Sequence, residues 1–325
     1  MRSISLIFSV FIVITKINGL DTKRPIKVRT YSGAPASVET LASSSDSETI
    51  AAGGSKGELS VWRLQQSPTP VSISFHRSGI STLSISPDGK SMVSGDRASQ
   101  VAVWSLSPQV PLRLCTLTIP GNFVKASDFS QDGSLFAVSG YTTGEIQVFE
   151  VKNCKQLAKK SRDDGVDVIH FSMFGSEFIT GGGLSEGEVH IHNSVDKPPR
   201  LRFGSSGDGP KALGESKNLV ALGSRNSPLT IWSRQTGKIL KTLETDSGNL
   251  TQEVQAIAIS SDEEIIAASF DFSCRLGIWN LKTGLYIEPS AGQEICNSSV
   301  RFNSNRHIRF IKSHLGKVVI EDYSL

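Results

Sequence analysis

The chain has 325 residues, of which 38% are hydrophobic and 20% are charged, a balance that fits a folded protein and excludes a disordered one. Its 34 basic and 31 acidic residues give a net charge of +3. This is too balanced to favour nucleic acid, because phosphate binding needs a concentrated basic face.

The first twenty residues have the pattern of a secretory signal peptide. Met1-Arg2-Ser3 precedes an apolar run from Ile4 to Ile14, and Gly19 supplies a small residue for cleavage. The run is shorter than the roughly 20 apolar residues of a transmembrane helix, so we expect no membrane span. Ile17 is a poor residue for a cleavage site, and an extension outside the folded domain is the alternative interpretation.

The rest of the chain repeats one unit, a short alternating strand such as Leu59–Leu64 that ends near a tryptophan. The residue at this structural repeat position is, in chain order, Trp62, Trp104, Phe149, His192, Trp232, Trp279 and Glu321. The spacings are 42, 45, 43, 40, 47 and 42 residues. A period of about 40–45 residues with one such strand in each period indicates a β-propeller with one four-stranded blade per repeat. We therefore predict an all-β fold, a seven-bladed β-propeller.

Each repeat follows the same order of strands and turns. Blade two shows it best, since Ser86-Pro87-Asp88-Gly89 is a good tight-turn sequence between its first two strands. Blade five is degenerate around Ala212-Leu213. A glycine lies nine residues before the tryptophan position in the first five blades, at Gly53, Gly95, Gly140, Gly183 and Gly223.

The last repeat ends just after its third strand, so its outer strand has to come from elsewhere. Residues 25–31 read as an outer strand that leads into blade one. We predict that they complete blade seven and close the ring, which removes free sheet edges. The propeller domain is thus predicted over residues 25–325, with residues 1–20 outside it.

These repeats resemble the WD-repeat family, most strongly at Ile80–Trp104 and Val254–Trp279. No tryptophan is followed by aspartate, so the chain resembles a divergent member. The resemblance implies a partner-binding scaffold without enzymatic activity, which docks proteins or peptides on the propeller faces.

The family's buried network links histidine, serine or threonine, aspartate and tryptophan within one blade. His76, Ser94 and Trp104 match three of its positions in blade two, but Ala98 stands where the aspartate is expected. A half-made network stabilises less than a full one, so we expect blades held mainly by apolar packing.

No catalytic arrangement is visible in the sequence. A Walker loop, an HExxH motif and a GxGxxG motif before a helix are all missing. His190 and His192 lie two apart on one strand without a third ligand at suitable spacing, so we interpret them as interior or edge residues of a sheet. We predict no catalytic, cofactor-binding or metal-binding residues.

The cysteines are isolated from each other in the sequence, so a zinc site is not expected. Two interpretations stay open: partly buried thiols, or disulfide bonds if the protein is secreted. The four residues are Cys115, Cys154, Cys274 and Cys296.

The turns between second and third strands gather around the channel of a propeller and are the candidate partner site. Four of the seven candidate residues can be cationic and two are aromatic, and aromatic and arginine side chains are common interface anchors. We hypothesise that this face docks an acidic or phosphorylated peptide, although each residue alone could belong to an ordinary solvated loop. The candidates are Lys56, Arg97, Tyr141, Glu186, Arg225, Phe272 and His314.

Three functions compete at this point. The first is a scaffold of a multiprotein complex in the cytoplasm or nucleus, with no nucleic acid expected. The second is the substrate-recognition subunit of a ubiquitin ligase, although the sequence has no F-box and no Trp-Asp-x-x-x-Arg motif. The third is a secreted or lumenal propeller, if residues 1–20 are a signal peptide.

Overall fold

The computed structural model describes residues 24–107, 109–120, 123–162, 165–174, 177–182, 187–194, 197–204, 209–224, 227–244, 253–270, 274–290 and 297–325. Within these ranges every regular element is a β-strand, and the strands form seven four-stranded antiparallel sheets. The all-β, seven-bladed architecture predicted from the repeat is therefore confirmed. Residues 1–20 lie outside the described residues. The described part of the chain contains no helix long and apolar enough to span a membrane.

Blades one to six each take four consecutive strands. Blades one and two consist of β2 (Val38–Ser43), β3 (Thr49–Gly54), β4 (Glu58–Arg63) and β5 (Ser67–Ser74), then β6 (Ile80–Ile85), β7 (Ser91–Asp96), β8 (Gln100–Ser105) and β9 (Leu112–Thr118). Blades three and four consist of β10 (Val124–Phe129), β11 (Leu135–Gly140), β12 (Glu145–Glu150) and β13 (Gln156–Ser161), then β14 (Val168–Phe171), β15 (Phe178–Gly182), β16 (Glu188–His192) and β17 (Pro199–Gly204). Blades five and six consist of β18 (Ala212–Glu215), β19 (Leu219–Gly223), β20 (Leu229–Ser233) and β21 (Ile239–Leu243), then β22 (Val254–Ile259), β23 (Ile265–Phe270), β24 (Arg275–Asn280) and β25 (Tyr286–Ser290).

Blade seven takes its outer strand from the other end of the chain. Its order is β26 (Ser298–Ser304), β27 (His307–His314), β28 (Lys317–Ser324) and β1 (Lys27–Ser32). β1 pairs antiparallel with β28, from Lys27 opposite Asp322 to Ser32 opposite Lys317. This confirms the prediction that the segment before blade one closes the ring.

The position of a strand within its blade determines how deeply it is buried. The first strand of each blade contacts the first strand of the next, so these strands surround the central channel. The second and third strands pack against neighbouring blades on both faces, and β23 is buried along its whole length. The fourth strands form the outer wall, where β9 is largely exposed.

The repeated glycine is explained by the packing of one blade against the next. A Cβ atom on Gly53 would lie 2.6 Å from Ile80, and one on Gly95 would lie 2.7 Å from Val124. Ile80 and Val124 are the first residues of β6 and β10, the inner strands of the following blades. β3 and β7 therefore have glycine at their next-to-last position because the next blade begins there; Gly183 lies outside the described residues.

Blade two contains a complete buried network, which corrects the expectation based on Ala98. His76 Nδ1 lies 2.9 Å from Asp96 Oδ2, and His76 Nε2 lies 2.8 Å from Ser94 Oγ. Trp104 Nε1 donates to Ser94 Oγ at 2.9 Å. Asp96 is the last residue of β7, two positions before Ala98, and its Oδ1 accepts backbone N–H groups of the following turn. Burial lowers the pKa of His76 although the ring is hydrogen-bonded to the Asp96 carboxylate. The neutral imidazole donates its Nδ1–H to Asp96 and accepts at Nε2 from the Ser94 hydroxyl.

The structure replaces the thiol interpretation of the cysteines with disulfide bonds. Cys115 in β9 is joined to Cys154, which precedes β13, with their Cα atoms 6.6 Å apart. This bond connects the outer parts of blades two and three. Cys274 is also disulfide-bonded, and Cys296 lies outside the described residues.

Candidate functional site

The turns between second and third strands lie at the same end of each antiparallel blade as the connections into the next inner strand. We call this end of the propeller the upper face. Lys56, Arg97 and Tyr141 lie in such turns, and His314 ends β27 beside the turn of blade seven. The other candidates, Glu186, Arg225 and Phe272, lie outside the described residues.

Within the described part of the chain, no hydrogen bond, ion pair or ring contact joins Lys56, Arg97 and Tyr141 to one another. Arg97 is exposed, and its guanidinium pairs with Glu39 at 2.6 Å, which neutralises much of its charge. Lys56 borders a cleft of about 350 Å³ between blade one and the connection that contains Gly33. Tyr141 belongs instead to an aromatic and cationic group near the mouth of the channel.

This group is built on Phe123 and Tyr141. Their rings are stacked, with centroids 4.5 Å apart, and the backbone N–H of Tyr141 donates to the carbonyl of Phe123 at 3.0 Å. The ammonium of Lys125 lies 5.6 Å from the centroid of the Tyr141 ring. A stacked pair with a fixed backbone loses little freedom when it is covered by a partner.

The same group contains an excess of positive charge. Lys125 and Lys211 each place their ammonium 3.3 Å from the same oxygen, Oδ1 of Asp167. Two cations thus share one carboxylate, and all three side chains are at most about a quarter exposed. Charge interactions are stronger at such partly buried positions than in open water. We call Phe123, Lys125, Tyr141, Asp167 and Lys211 the upper-face cluster.

The sequence interpretation found only Tyr141 among these five residues, because it considered only the turns between second and third strands. A signal for the others was present. Phe123, Asp167 and Lys211 each stand immediately before the inner strand of consecutive blades. They are therefore equivalent positions of the repeat, which brings them together around the channel.

A second polar group lies on the inner strands of blades three, four and five. His170 Nδ1 is 3.1 Å from Asp128, and His170 Nε2 is 3.2 Å from Glu215. Burial alone would lower the pKa of His170, but the hydrogen bonds to both carboxylates outweigh it and raise the pKa to about 10. The resulting imidazolium bridges three neighbouring blades, so this group has a structural role.

The other two histidines of blade four are buried in the sheet, as the sequence interpretation expected. His190 Nε2 lies 2.7 Å from Glu188, and His192 Nδ1 lies 3.0 Å from the ammonium of Lys160. Burial, followed by the charge of Lys160, lowers the pKa of His192 to about 4. Among the described residues, no group of three or more His, Cys, Asp or Glu side chains is placed to hold a metal ion.

The side chains at the repeat position are buried inside the blades. Six of the seven are at most 6% exposed: Trp62, Trp104, Phe149, His192, Trp232 and Trp279. The seventh, Glu321, accepts a hydrogen bond from Tyr323 at 2.7 Å and pairs with Lys312 at 2.7 Å.

The strand order and the closure define the class of the protein, a closed seven-bladed β-propeller. Residues 26–63 and 69–105 match the family model "WD domain, G-beta repeat". Two repeats of this family thus lie within residues 26–105, and the second contains the resemblance at Ile80–Trp104 that the sequence indicated. Both matched segments run from the outer strand of one blade to the third strand of the next. The sequence repeat is therefore shifted by one strand relative to the blade, and this shift is what places β1 in blade seven.

Solved structures agree on the fold. The β-propeller domain of Myceliophteria thermophila Cps50 (Swd1) superposes with a TM-score of 0.74 at 13% identity, covering 92% of this chain and 100% of that one. The WD40 repeats of RRP9 give a TM-score of 0.75 at 15% identity, covering 93% of this chain and 99% of that one. No curated protein sequence matches this chain. At such identities the likeness concerns the fold alone.

Proposed function

We propose that this propeller is a non-catalytic protein-interaction platform that binds an acidic or phosphorylated peptide of a partner protein on its upper face. The observation that carries the proposal is the upper-face cluster, in which Lys125 and Lys211 share the single carboxylate of Asp167 beside the Phe123–Tyr141 stack. WD-repeat propellers generally bind other proteins within complexes, and this chain has the same architecture.

The cluster offers two kinds of contact at once. Its surplus positive charge can form charge-assisted hydrogen bonds with a carboxylate or a phosphate. The aromatic stack next to it can cover an apolar side chain of the same peptide. Arg97 contributes less than the sequence hypothesis assumed, because Glu39 already pairs with it.

The test is to purify the protein from its native cells with its bound partners and to measure the recovered partner against charge variants. We expect Lys125→Glu combined with Lys211→Glu to weaken binding about ten-fold or more, through repulsion of the anionic peptide. The matched control is Lys90→Glu with Lys282→Glu, which reverses two exposed charges on turns at the opposite end of the blades. Equal losses in both variants, or no loss in either, would contradict the proposal.

We also infer that the protein works in the secretory pathway. The Cys115–Cys154 bond supports this, together with the bonded Cys274 and the apolar run Ile4–Ile14. Disulfides persist in oxidising compartments and are rare in the cytosol and nucleus. These observations favour the secreted or lumenal alternative over the cytoplasmic scaffold and over the ubiquitin-ligase subunit.

Mass spectrometry of the native protein tests this location. We expect a processed N-terminus near Gly19 and a glycan at Asn249, which lies outside the described residues. The chain has a second glycosylation sequon, Asn297-Ser298-Ser299, beside Asn249-Leu250-Thr251. It should stay unmodified, because Asn297 Nδ2 donates to the carbonyl of Val38 at 2.7 Å and a glycan would break that contact. An intact, unglycosylated chain with reduced Cys115 in the cytosol would refute the location.

A further inference from the structure

The outer wall of the propeller is strongly basic on one side. The sequence segments 151–162, 193–204 and 233–244 contain the outer strands β13, β17 and β21 of blades three, four and five. They contain five, three and three Lys or Arg residues, against none, one and one Asp or Glu. The equivalent segments of blades one and two, residues 63–74 and 105–118, contain one arginine each and no acidic residue. Positive charge is therefore concentrated on this side of the propeller, although the net charge of the chain is only +3.

Some of these cations have a structural role. Arg162 and Arg234 are about 5–6% exposed and bond to groups inside the sheets. Lys159 pairs with Glu145, and Arg200 pairs with Glu177, both at 2.6 Å. Such cations cannot turn to a ligand without losing these partners.

Four other cations of the same segments are exposed to solvent. Within the part of the chain that the structure describes, none of them forms an ion pair with a carboxylate. They belong to three consecutive blades, with one in the segment of β13, two in that of β17 and one in that of β21. We call them the basic wall: Lys155, Lys197, Arg202 and Lys238.

The curvature of the ring restricts what can contact the whole wall. Seven blades share a full turn, so neighbouring outer strands face directions about 51° apart, and those of blades three and five diverge by about 100°. A planar membrane cannot touch both ends of such a convex surface, although Leu157 and Leu240 are exposed beside the cations. A flexible linear polyanion can follow it and meet one cation after another.

We propose that the basic wall binds a sulfated polysaccharide. Basic clusters recruit linear polyanions through their charge, and the release of counterions makes the affinity depend on salt. The choice of a sulfated glycan over a nucleic acid rests on the secretory location proposed above, since nucleic acids belong to the reducing compartments. The binding surface lies on the outer wall and is separate from the upper-face cluster.

The experiment measures the dissociation constant of a heparin oligosaccharide at several salt concentrations around 100 mM, with an unsulfated heparosan and a single-stranded RNA of similar length as comparisons. We expect tight binding to heparin, weak binding to heparosan, and an affinity that falls as salt rises. Lys155→Glu with Arg202→Glu and Lys238→Glu should weaken heparin binding about ten-fold or more. The Gln versions of these substitutions should give an intermediate loss.

The matched control is Arg77→Glu with Lys90→Glu and Lys317→Glu, which changes the net charge equally at exposed sites away from the wall. It should keep heparin affinity within about three-fold, and circular dichroism should show both triple variants folded. Equal losses in the two variants, no binding of heparin near 100 mM salt, or RNA binding as tight as heparin would overturn the proposal. The wall variant should still bind the upper-face partner, so failure of one proposal is distinguishable from failure of the other.

Discussion

At the scale of single residues, the positive charge of His170 stabilises the folded protein. Its folded pKa of about 10 lies above the ordinary value of 6.5, so its stabilisation is fully present below about pH 6.5 and is lost as the pH rises towards 10. His170→Gln leaves Asp128 and Glu215 without their shared cation. We expect it to lower the unfolding free energy by about 3 kcal/mol near pH 6 and by progressively less towards pH 10.

Urea denaturation at about pH 6, pH 8 and pH 10 measures this difference against the unmodified protein. His307→Gln serves as the control, because the His307 side chain is exposed and, among the described residues, hydrogen-bonds only to Ser304. A loss for His170→Gln that is the same at all three pH values would show that the histidine contributes shape and not charge.

Residue-scale networks were the part of the structure that the sequence predicted least well. The offset that marks the tryptophan pointed to Ala98, whereas Asp96 bonds to His76 because its side chain caps the turn and faces the buried imidazole. Repeat spacing specifies where a strand runs but not where a side chain points. The carboxylates that hold His170 lie 42 and 45 residues away, so only the assembled ring brings them within hydrogen-bonding distance.

At the scale of strands and blades, the packing of Gly95 against Val124 sets the spacing between blades two and three. We expect Gly95→Ala to cost about 1–3 kcal/mol, because the added methyl group would lie 2.7 Å from the Val124 side chain. Val124→Ala removes Cγ1 of Val124, one of its two carbons that lie 2.7 Å from the added methyl group, and leaves Cβ in place. The double variant should therefore recover part of the loss and be more stable than the sum of the two single losses predicts.

A denaturation cycle of the four proteins measures this coupling. Pairing Gly95→Ala with Val254→Ala in blade six is the control, and the losses there should add because the two sites share no contact. Additive losses for Gly95 and Val124 as well would show that the glycine is kept for its backbone and not for the approach of the next blade.

The disulfide between blades two and three should contribute measurably to stability. It closes a loop of 39 residues, for which the chain-entropy relation gives about 4 kcal/mol. We therefore expect Cys115→Ala with Cys154→Ala to lower the unfolding free energy by up to about that amount under non-reducing conditions. Peptide mapping without reduction should recover the two cysteines in one linked fragment, and two separate thiol peptides would contradict the bond.

Elements were predicted better than residues because the physical signal is repeated. Alternating strands, tight turns and the conserved offset of the glycine all recur along one chain, so errors in one blade are corrected by the others. The sequence predicts a degenerate first strand in blade five, yet β18 forms over Ala212–Glu215 and is as long as β14 of blade four. The candidate site was predicted only in outline, since the sequence interpretation considered the turns between second and third strands and not the positions before the inner strands, which supply Phe123, Asp167 and Lys211.

At the scale of the whole molecule, the fold alone does not determine what the protein binds. The architecture is shared with solved structures at 13% and 15% identity, so very different sequences can build it. The charge of this chain is unevenly distributed, with the upper-face cluster at the channel mouth and the basic wall on the outside of three blades. Two separate surfaces on one rigid ring would allow it to hold a protein partner and a polyanion together.

β1 is the strand that closes the ring, so we expect its removal to destabilise the whole propeller. Removal of residues 1–32 deletes the outer strand of blade seven and leaves the edge of β28 unpaired. It also removes the Arg29–Asp322 ion pair and the half-buried Tyr31 from the contact between blades seven and one. We expect the melting temperature to fall by about 10 °C or more and the protein to aggregate, because an open strand edge pairs readily with other chains.

Removal of residues 1–23 is the matched control, since it retains β1 and should keep the melting temperature within about 2 °C. A synthetic peptide of residues 24–33, added in excess to the shorter protein, should restore solubility by supplying the missing strand. A truncated protein that melts normally and stays monomeric would show that the ring does not need this closure. The expected result would be compatible with the cleavage near Gly19 proposed above, because the closing strand begins at Lys27.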